Sequence, residues 1–390
     1  MTPGARVQTA IELLDAVIAA ARSNGASADV VIAQGFRERR YAGSKDKRAI
    51  RDLVYRAIRT FGDVPVSGRA AVLGLNDADV EAVFGVGGYG PAAIAAEEAR
   101  ASASAASAWM QGEFLPFVDE VEQTAMMARA PLDLRVNALK AERPAMVAEL
   151  GGEALTIAPH AIRFAKPFDV EATEAYEAGR VEVQDAGSQL ISDVCRAVPG
   201  MIVVDLCAGA GGKTLSLAAD MKGEGQLIAC DADRGRLQRL PDRASRAGAA
   251  VETRLLNPGR ELDALGDLAG AADVVLVDAP CSGSGTWRRN PELRWRVTPA
   301  RLDRILNMQA QVLDVAQALV RPGGALVYAV CSLFTREGAG QIDAFLARYP
   351  GWVAETLSLP AGRPSGKGYA LTPFHDATDG FFIARLARSC

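Results

Sequence analysis

Histidine is almost missing from this chain. Only His160 and His375 occur among 390 residues, which excludes a histidine-rich metal centre, and no metal is expected. The six cysteines, Cys195, Cys207, Cys230, Cys281, Cys331 and Cys390, form no CxxC pair and no other zinc spacing. A chain of this length needs no disulfide staples, so free thiols in a reducing compartment are expected. No uncharged apolar stretch reaches the ~20 residues of a membrane span. Met1 to Ala20 carries Glu12 and Asp15 among its apolar residues, unlike a signal peptide. The expected location is the cytoplasm. Positive charge is not in excess either: the net charge is −4, so a nucleic-acid role would have to rest on local basic patches. With 49% apolar and 23% charged residues, the chain reads as a soluble protein of two or three domains.

What is present falls into three textures. Residues 1–130 read as helical. Val7, Ile11, Leu14 and Ile18 share one helix face, Ser27 and Ser44 can cap helices, and Gly62 can stop one. After Ser44, Ile50, Val54, Ala57 and Ile58 line one face, while Arg48 and Arg51 lie largely opposite. Arg37, Arg39 and Arg40 just upstream make this the most basic stretch, either a solvated face or a phosphate-contacting surface. Pro91 to Met110 reads as an Ala-rich helix. Residues 131–195 form a small α+β unit, with strand alternation at 132–137 and short strands at 155–157 and 161–164. Residues 196–390 alternate strands and helices, with one helix expected from Asp233 to Ala247. The strands are near-continuous apolar runs, which implies a parallel sheet covered on both faces. They end on Asp205, Asp231, Asn257, Asp278 and Cys331, and ligands of open α/β sheets bind at such carboxyl ends.

Three stretches carry chemistry. Asp278-Ala279-Pro280-Cys281-Ser282-Gly283-Ser284-Gly285 puts a carboxylate and a thiol on a turn after an apolar strand. Tyr328-Ala329-Val330-Cys331-Ser332 delivers a second thiol from another strand end. The turn Asp205-Leu206-Cys207-Ala208-Gly209-Ala210-Gly211-Gly212-Lys213-Thr214 is rich in glycine. A P-loop would need glycine at 207, which is cysteine, and a dinucleotide fingerprint would need glycine at 214, which is threonine. A third reading is S-adenosylmethionine, with helix N-terminal amides and Lys213 meeting a carboxylate. Asp231 can accept both hydroxyls of a ribose, which suits either adenosine-bearing ligand. Finally, Trp287 to Arg296 mixes two tryptophans with Arg288, Arg289, Arg294 and Arg296. This suits base stacking and phosphate contact, or else tryptophans packed into the protein.

On these motifs, together with Gln184-Asp185-Ala186-Gly187-Ser188-Gln189 and the tail His375 to Phe382, the chain resembles the Sun/Fmu-type RNA cytosine-5 methyltransferases along almost its whole length. The resemblance implies a class I S-adenosylmethionine-dependent, Rossmann-like α/β domain at 196–390. It also implies a small RNA-recognition-type α+β subdomain at 131–195 and an all-helical NusB-like RNA-binding domain at 1–130. It implies a cofactor pocket lined by Cys207, Ala208, Gly209, Ala210, Gly211, Gly212, Lys213, Asp231, Asn257 and Asp278. Asn257 departs from the family's usual aspartate, and an amide can still hydrogen-bond adenine. Cysteine suits the chemistry because carbon 5 of cytosine becomes nucleophilic only after a thiolate adds to carbon 6. In DNA enzymes of this chemistry the attacker follows proline, which would point to Cys281. In the RNA family the attacker sits in the Cys-Ser strand end, which implies Cys331 as nucleophile, Cys281 in product release and Asp278 at N3 of the base. Arg48, Arg51, Arg288, Arg289 and Arg294 are the expected RNA contacts. The expected substrate is small-subunit (16S) ribosomal RNA, with no obligate protein partner. The alternatives are a transfer RNA substrate and a non-catalytic RNA-binding assembly factor.

Overall fold

The computed structural model describes residues 1–390, and its chain divides into two units. The first comprises 1–114, 119–128 and 286–299; the second comprises 115–118, 129–285 and 300–390. No helix is long and apolar enough to cross a membrane.

The first unit is helical, built on α1 (Pro3–Arg22), α2 (Ala28–Glu38), α3 (Ser44–Thr60) and α4 (Gly68–Gly74). Thr2 caps α1 by accepting the Ala5 N–H at 3.2 Å, and Pro3 occupies the first turn, where its missing N–H costs nothing. The apolar faces meet in a core that includes Leu14, Val17, Ile50, Val54, Ile58 and Phe61, all fully or nearly fully buried.

The Ala-rich helix expected from Pro91 to Met110 does not form; only a short 3₁₀ turn, Ala108–Gly112, appears. Tertiary pairing overrides alanine's propensity here. The Ala101 N–H donates to Ala70 O and the Ser104 N–H to Thr60 O, each at 3.0 Å. The segment also runs so close to Gly62 that a Cβ there would lie 2.6 Å from the Ala106 backbone.

The second unit holds two sheets. In the smaller, β1 (Leu132–Val136), β2 (Glu153–Ala154), β3 (Ala161–Phe164) and β4 (Val181–Val183) pair antiparallel in the order β2-β3-β1-β4. This sheet is fastened to the larger one by Glu182, whose carboxylate accepts from both Arg243 and Arg246, and by Asn137, which donates to Ala247 O at 2.8 Å.

The larger sheet contains β5 (Ile202–Asp205), β6 (Gln226–Asp231), β7 (Glu252–Leu255), β8 (Ala272–Asp278) and β9 (Val320–Val330), all parallel. It continues antiparallel through β10 (Trp352–Ala354), β11 (Arg363–Ser365), β12 (Gly368–Leu371) and β13 (Phe381–Arg388). The order is β11-β12-β13-β9-β8-β5-β6-β7, with β10 on β13. This is a Rossmann-like α/β fold. The chain runs outward from β5 to β7 and then returns to β8 on the other side of β5. That reversal opens a crevice at the carboxyl ends of β5 and β8, where such sheets bind ligands. The helix expected from Asp233 to Ala247 is broken into Arg234–Leu237 and Leu240–Ala247. Pro241 explains the break: it lacks an N–H and its ring clashes with the preceding turn.

Candidate active site

The glycine-rich turn after β5 is shaped by backbone that favours glycine. Gly209 and Gly211 have φ of 56° and 86°, and Gly211 leads directly into the helix Gly212–Asp220. Asp231, at the end of β6, holds this turn: one carboxylate oxygen accepts the Gly209 N–H and the other the Asp233 N–H, each at 2.7 Å. Asp205, at the end of β5, is buried, and its Oδ2 accepts the Thr214 hydroxyl at 2.6 Å. Burial pushes its carboxyl up to about 7.

The charged groups of S-adenosylmethionine suit these residues. Asp205 Oδ1 is a buried acceptor without a protein donor, as a cationic amino group would require. Space is open in front of Gly212, where helix N-terminal amides suit a carboxylate. Asn257 is exposed just beyond β7. Cys207 has no role in this arrangement beyond lining the turn, because burial keeps its thiol protonated, well above its usual range.

Asp278 closes β8 and accepts from Lys213 Nζ at 2.7 Å. Burial alone would pull the Lys213 ammonium down, but the adjacent Asp278 carboxylate outweighs it and the net shift is upward. Lys213 therefore stays charged. Its direct partner is Asp278.

The backbone beyond β8 continues its pairing with β9. Ala279 N–H donates to Ala329 O at 2.8 Å and Gly285 N–H to Cys331 O at 3.1 Å. Gly285 has no alternative, because a Cβ would meet Gly380 O at 2.0 Å. This parallel register sets the two thiols side by side, with Cys281 Sγ 3.2 Å from Cys331 Sγ. The hydrogen bond to Cys331, with burial added, pushes the Cys281 thiol well above its usual range. Cys281 thus keeps its proton and can donate it toward the Cys331 sulfur.

Beneath the thiols lies a polar cluster that the sequence did not announce. Glu337, Ser282, Ser284, Ser332 and Gln309 are all buried and joined by hydrogen bonds. Glu337 lies in a short polar turn with no periodicity or motif around it, so nothing in the sequence distinguished it.

The expected RNA contacts separate. Arg48 and Arg51 are exposed on α3, and Arg289 is exposed. Arg288 and Arg294 are buried, only 7% and 1% exposed, inside the helical unit. Arg294 donates to Ile58 O, Phe61 O and Ala105 O. A cation there neutralises the carboxyl end of α3. The two tryptophans of the same stretch are buried as well, and the Trp295 indole donates to Phe61 O at 2.7 Å. The expectation of surface phosphate contacts is therefore corrected for Arg288 and Arg294: both guanidinium groups are buried inside the helical unit and do not reach its surface.

No group of three or more His, Cys, Asp or Glu side chains is placed to hold a metal ion. Residues 195–387 match the family model described as 16S rRNA methyltransferase RsmB/F. The chain is 34% identical over 265 residues to ribosomal RNA small subunit methyltransferase B of an Enterobacter species, covering 67% of this chain and 60% of that protein. It thus spans about 60% of the length of the curated relatives it matches. Among solved structures it is similar to PH0851, with a TM-score of 0.76 at 23% identity over 99% of both chains. It is also similar to a methyltransferase homologue protein from Pyrococcus horikoshii, with a TM-score of 0.62 at 27% identity, over 72% of this chain and 93% of that one.

Proposed function

We propose that this protein, whose residues 195–387 match the model of the 16S rRNA methyltransferase RsmB/F family, is an S-adenosylmethionine-dependent RNA cytosine-5 methyltransferase acting on 16S ribosomal RNA in the cytoplasm. The observation that carries this reading is the convergence of Cys331, Cys281 and the Lys213–Asp278 pair at the strand ends beside the glycine-rich turn. The relatives' names support ribosomal RNA as the substrate.

The target base must leave its stack to reach the thiols. Cys331 then adds to carbon 6 through its thiolate. Addition makes N3 basic, and the Lys213–Asp278 pair serves it: the Lys213 ammonium passes a proton through the Asp278 carboxyl to N3, and Asp278 then accepts the N3–H hydrogen bond. Carbon 5 is now an enamine carbon. Cys207 to Lys213, Asp231, Asn257 and Asp205 would hold S-adenosylmethionine, which would supply the electrophilic methyl group. Cys281, adjacent to the attacking sulfur, is assigned to the release step: its thiol proton passes to the departing Cys331 sulfur, its own sulfur takes the carbon 5 proton, N3 returns its proton to the Lys213–Asp278 pair, and the aromatic ring is restored. The exposed arginines Arg48, Arg51 and Arg289 hold the RNA backbone. Bisulfite sequencing of total RNA from cells with and without the gene tests the reading. One 16S cytosine losing protection is expected. A protected transfer RNA cytosine would move the substrate, and an unchanged profile would overturn the activity.

A further inference from the structure

The cluster beneath the two thiols has a centre. Glu337 is fully buried, and its two carboxylate oxygens have divided tasks. Oε1 accepts the Ser282 N–H at 2.8 Å and the Gln309 amide at 3.1 Å. Oε2 accepts the Ser282 and Ser332 hydroxyls. Ser282 directly follows Cys281 and Ser332 directly follows Cys331. Gln309 also donates to Pro280 O at 3.0 Å, so the peptides on both sides of Cys281 are tied to one network. Ser284 extends it, bonding the Ser332 hydroxyl at 2.9 Å and accepting the Leu333 N–H at 2.9 Å. Glu337 is itself fixed, since the buried Tyr328 hydroxyl donates to its backbone carbonyl at 2.7 Å.

A buried carboxylate is costly unless its lone pairs are filled. Here the four donors are all neutral groups of the two thiol-bearing turns and of the helix Pro299–Leu319. An apolar side chain would fill the space at less cost, but it would leave the turns on β8 and β9 without a common anchor.

We propose that Glu337 is a positioning residue, which clamps the turns carrying Cys281 and Cys331 so that the two sulfurs present side by side to the pyrimidine. The inference rests on the methyltransferase reading for its kinetic consequence, and on geometry alone for its effect on the thiols. The two oxygens also make the variants informative. In Glu337→Gln the remaining carbonyl oxygen can keep both N–H donors, and the new amide can donate to the two serine hydroxyls, which rotate to accept. The clamp survives without the charge. In Glu337→Ala the clamp is gone.

The experiment has two arms on the full-length protein. In the first, methyl transfer is followed in single-turnover and steady-state assays, with S-adenosylmethionine affinity and the melting temperature measured alongside. Glu337→Ala should lower kcat at least about tenfold, the scale of a small misplacement of reacting groups, with little change in KM for RNA or in cofactor affinity. Glu337→Gln should retain most of the activity. In the second arm, iodoacetamide labelling is located by peptide mass spectrometry. Glu337→Ala should change the relative alkylation rates of Cys281 and Cys331, and Glu337→Gln should not. Wild-type kcat and alkylation in Glu337→Ala would overturn the proposal. So would parallel loss of activity, cofactor binding and melting temperature in both variants, which would make Glu337 merely structural. If the wild-type protein methylates no RNA but the alkylation difference persists, the activity reading fails and the clamp stands.

Discussion

Two sulfurs 3.2 Å apart invite a test that separates their duties. Under the proposed mechanism, Cys331→Ala abolishes methyl transfer, whereas Cys281→Ala accumulates a denaturation-resistant RNA adduct. A gel-shift assay on denatured reaction mixtures checks both, and adduct formation by Cys331→Ala with none by Cys281→Ala would reverse the assignments. A pH test belongs to Asp205. Its carboxyl is raised from 3.8 to about 7 by burial, so between those values the folded state binds a proton that the unfolded chain has released. Stability therefore falls as pH rises through that window, by an amount on the order of 4 kcal/mol at about 1.4 kcal/mol per unit. Asp205→Asn should flatten this slope and raise the melting temperature at pH 8 relative to pH 5. Thermal melts of the two proteins without cofactor decide it. At this scale the thiols and Asp278 were legible in the sequence, because cysteine and aspartate after an apolar run suit chemistry better than packing. Glu337 was not, since its importance lies in hydrogen bonds between turns far apart in the chain.

Elements were legible where one physical pattern dominated. The strands β5, β6, β8 and β9 announced themselves as apolar runs, whereas β7 carries Glu252 and Arg254, and α3 read as a helix with a basic outer face. The segment 91–110 was misread because alanine content speaks of helix, whereas its amides are bound by α3 and α4. The stretch Trp287 to Arg296 left two readings open, because arginine and tryptophan look alike in a nucleic-acid surface and in a polar plug. In the structure it is a plug: besides Arg294 and Trp295, Glu292 accepts the Ala28 N–H at the start of α2, and Arg296 donates to Gly25 O at 2.8 Å. Arg294→Ala should therefore act on stability. It leaves the Ile58 and Ala105 carbonyls without their donor at roughly 1–3 kcal/mol each, and should lower the melting temperature of the helical unit. Arg48→Ala and Arg51→Ala should leave melting unchanged. Each should instead weaken RNA binding and reduce the slope of log affinity against log salt by about one. Filter binding at a series of salt concentrations, beside calorimetry, distinguishes the two behaviours.

For the whole molecule, the net charge of −4 places the burden of RNA attraction on local basic surface. Affinity should fall steeply with salt even though the protein is acidic overall. The sequence shows three textures where the structure divides into two units, and composition could not reveal that 286–299 packs with the helices rather than with the strands on either side of it. Deleting residues 1–130 alone should uncover Trp287 and Trp295 and yield a protein that aggregates on size exclusion. Deleting them and also replacing 286–299 by a Gly/Ser linker should restore a soluble, cofactor-binding protein with weakened RNA affinity. The same plug has a consequence for synthesis. Domains generally fold as units while the chain emerges from the ribosome, yet the core of this helical unit includes Trp295. The helices of residues 3–74 are made well before the plug and must wait, incomplete, until residues 286–299 have been translated and can close them.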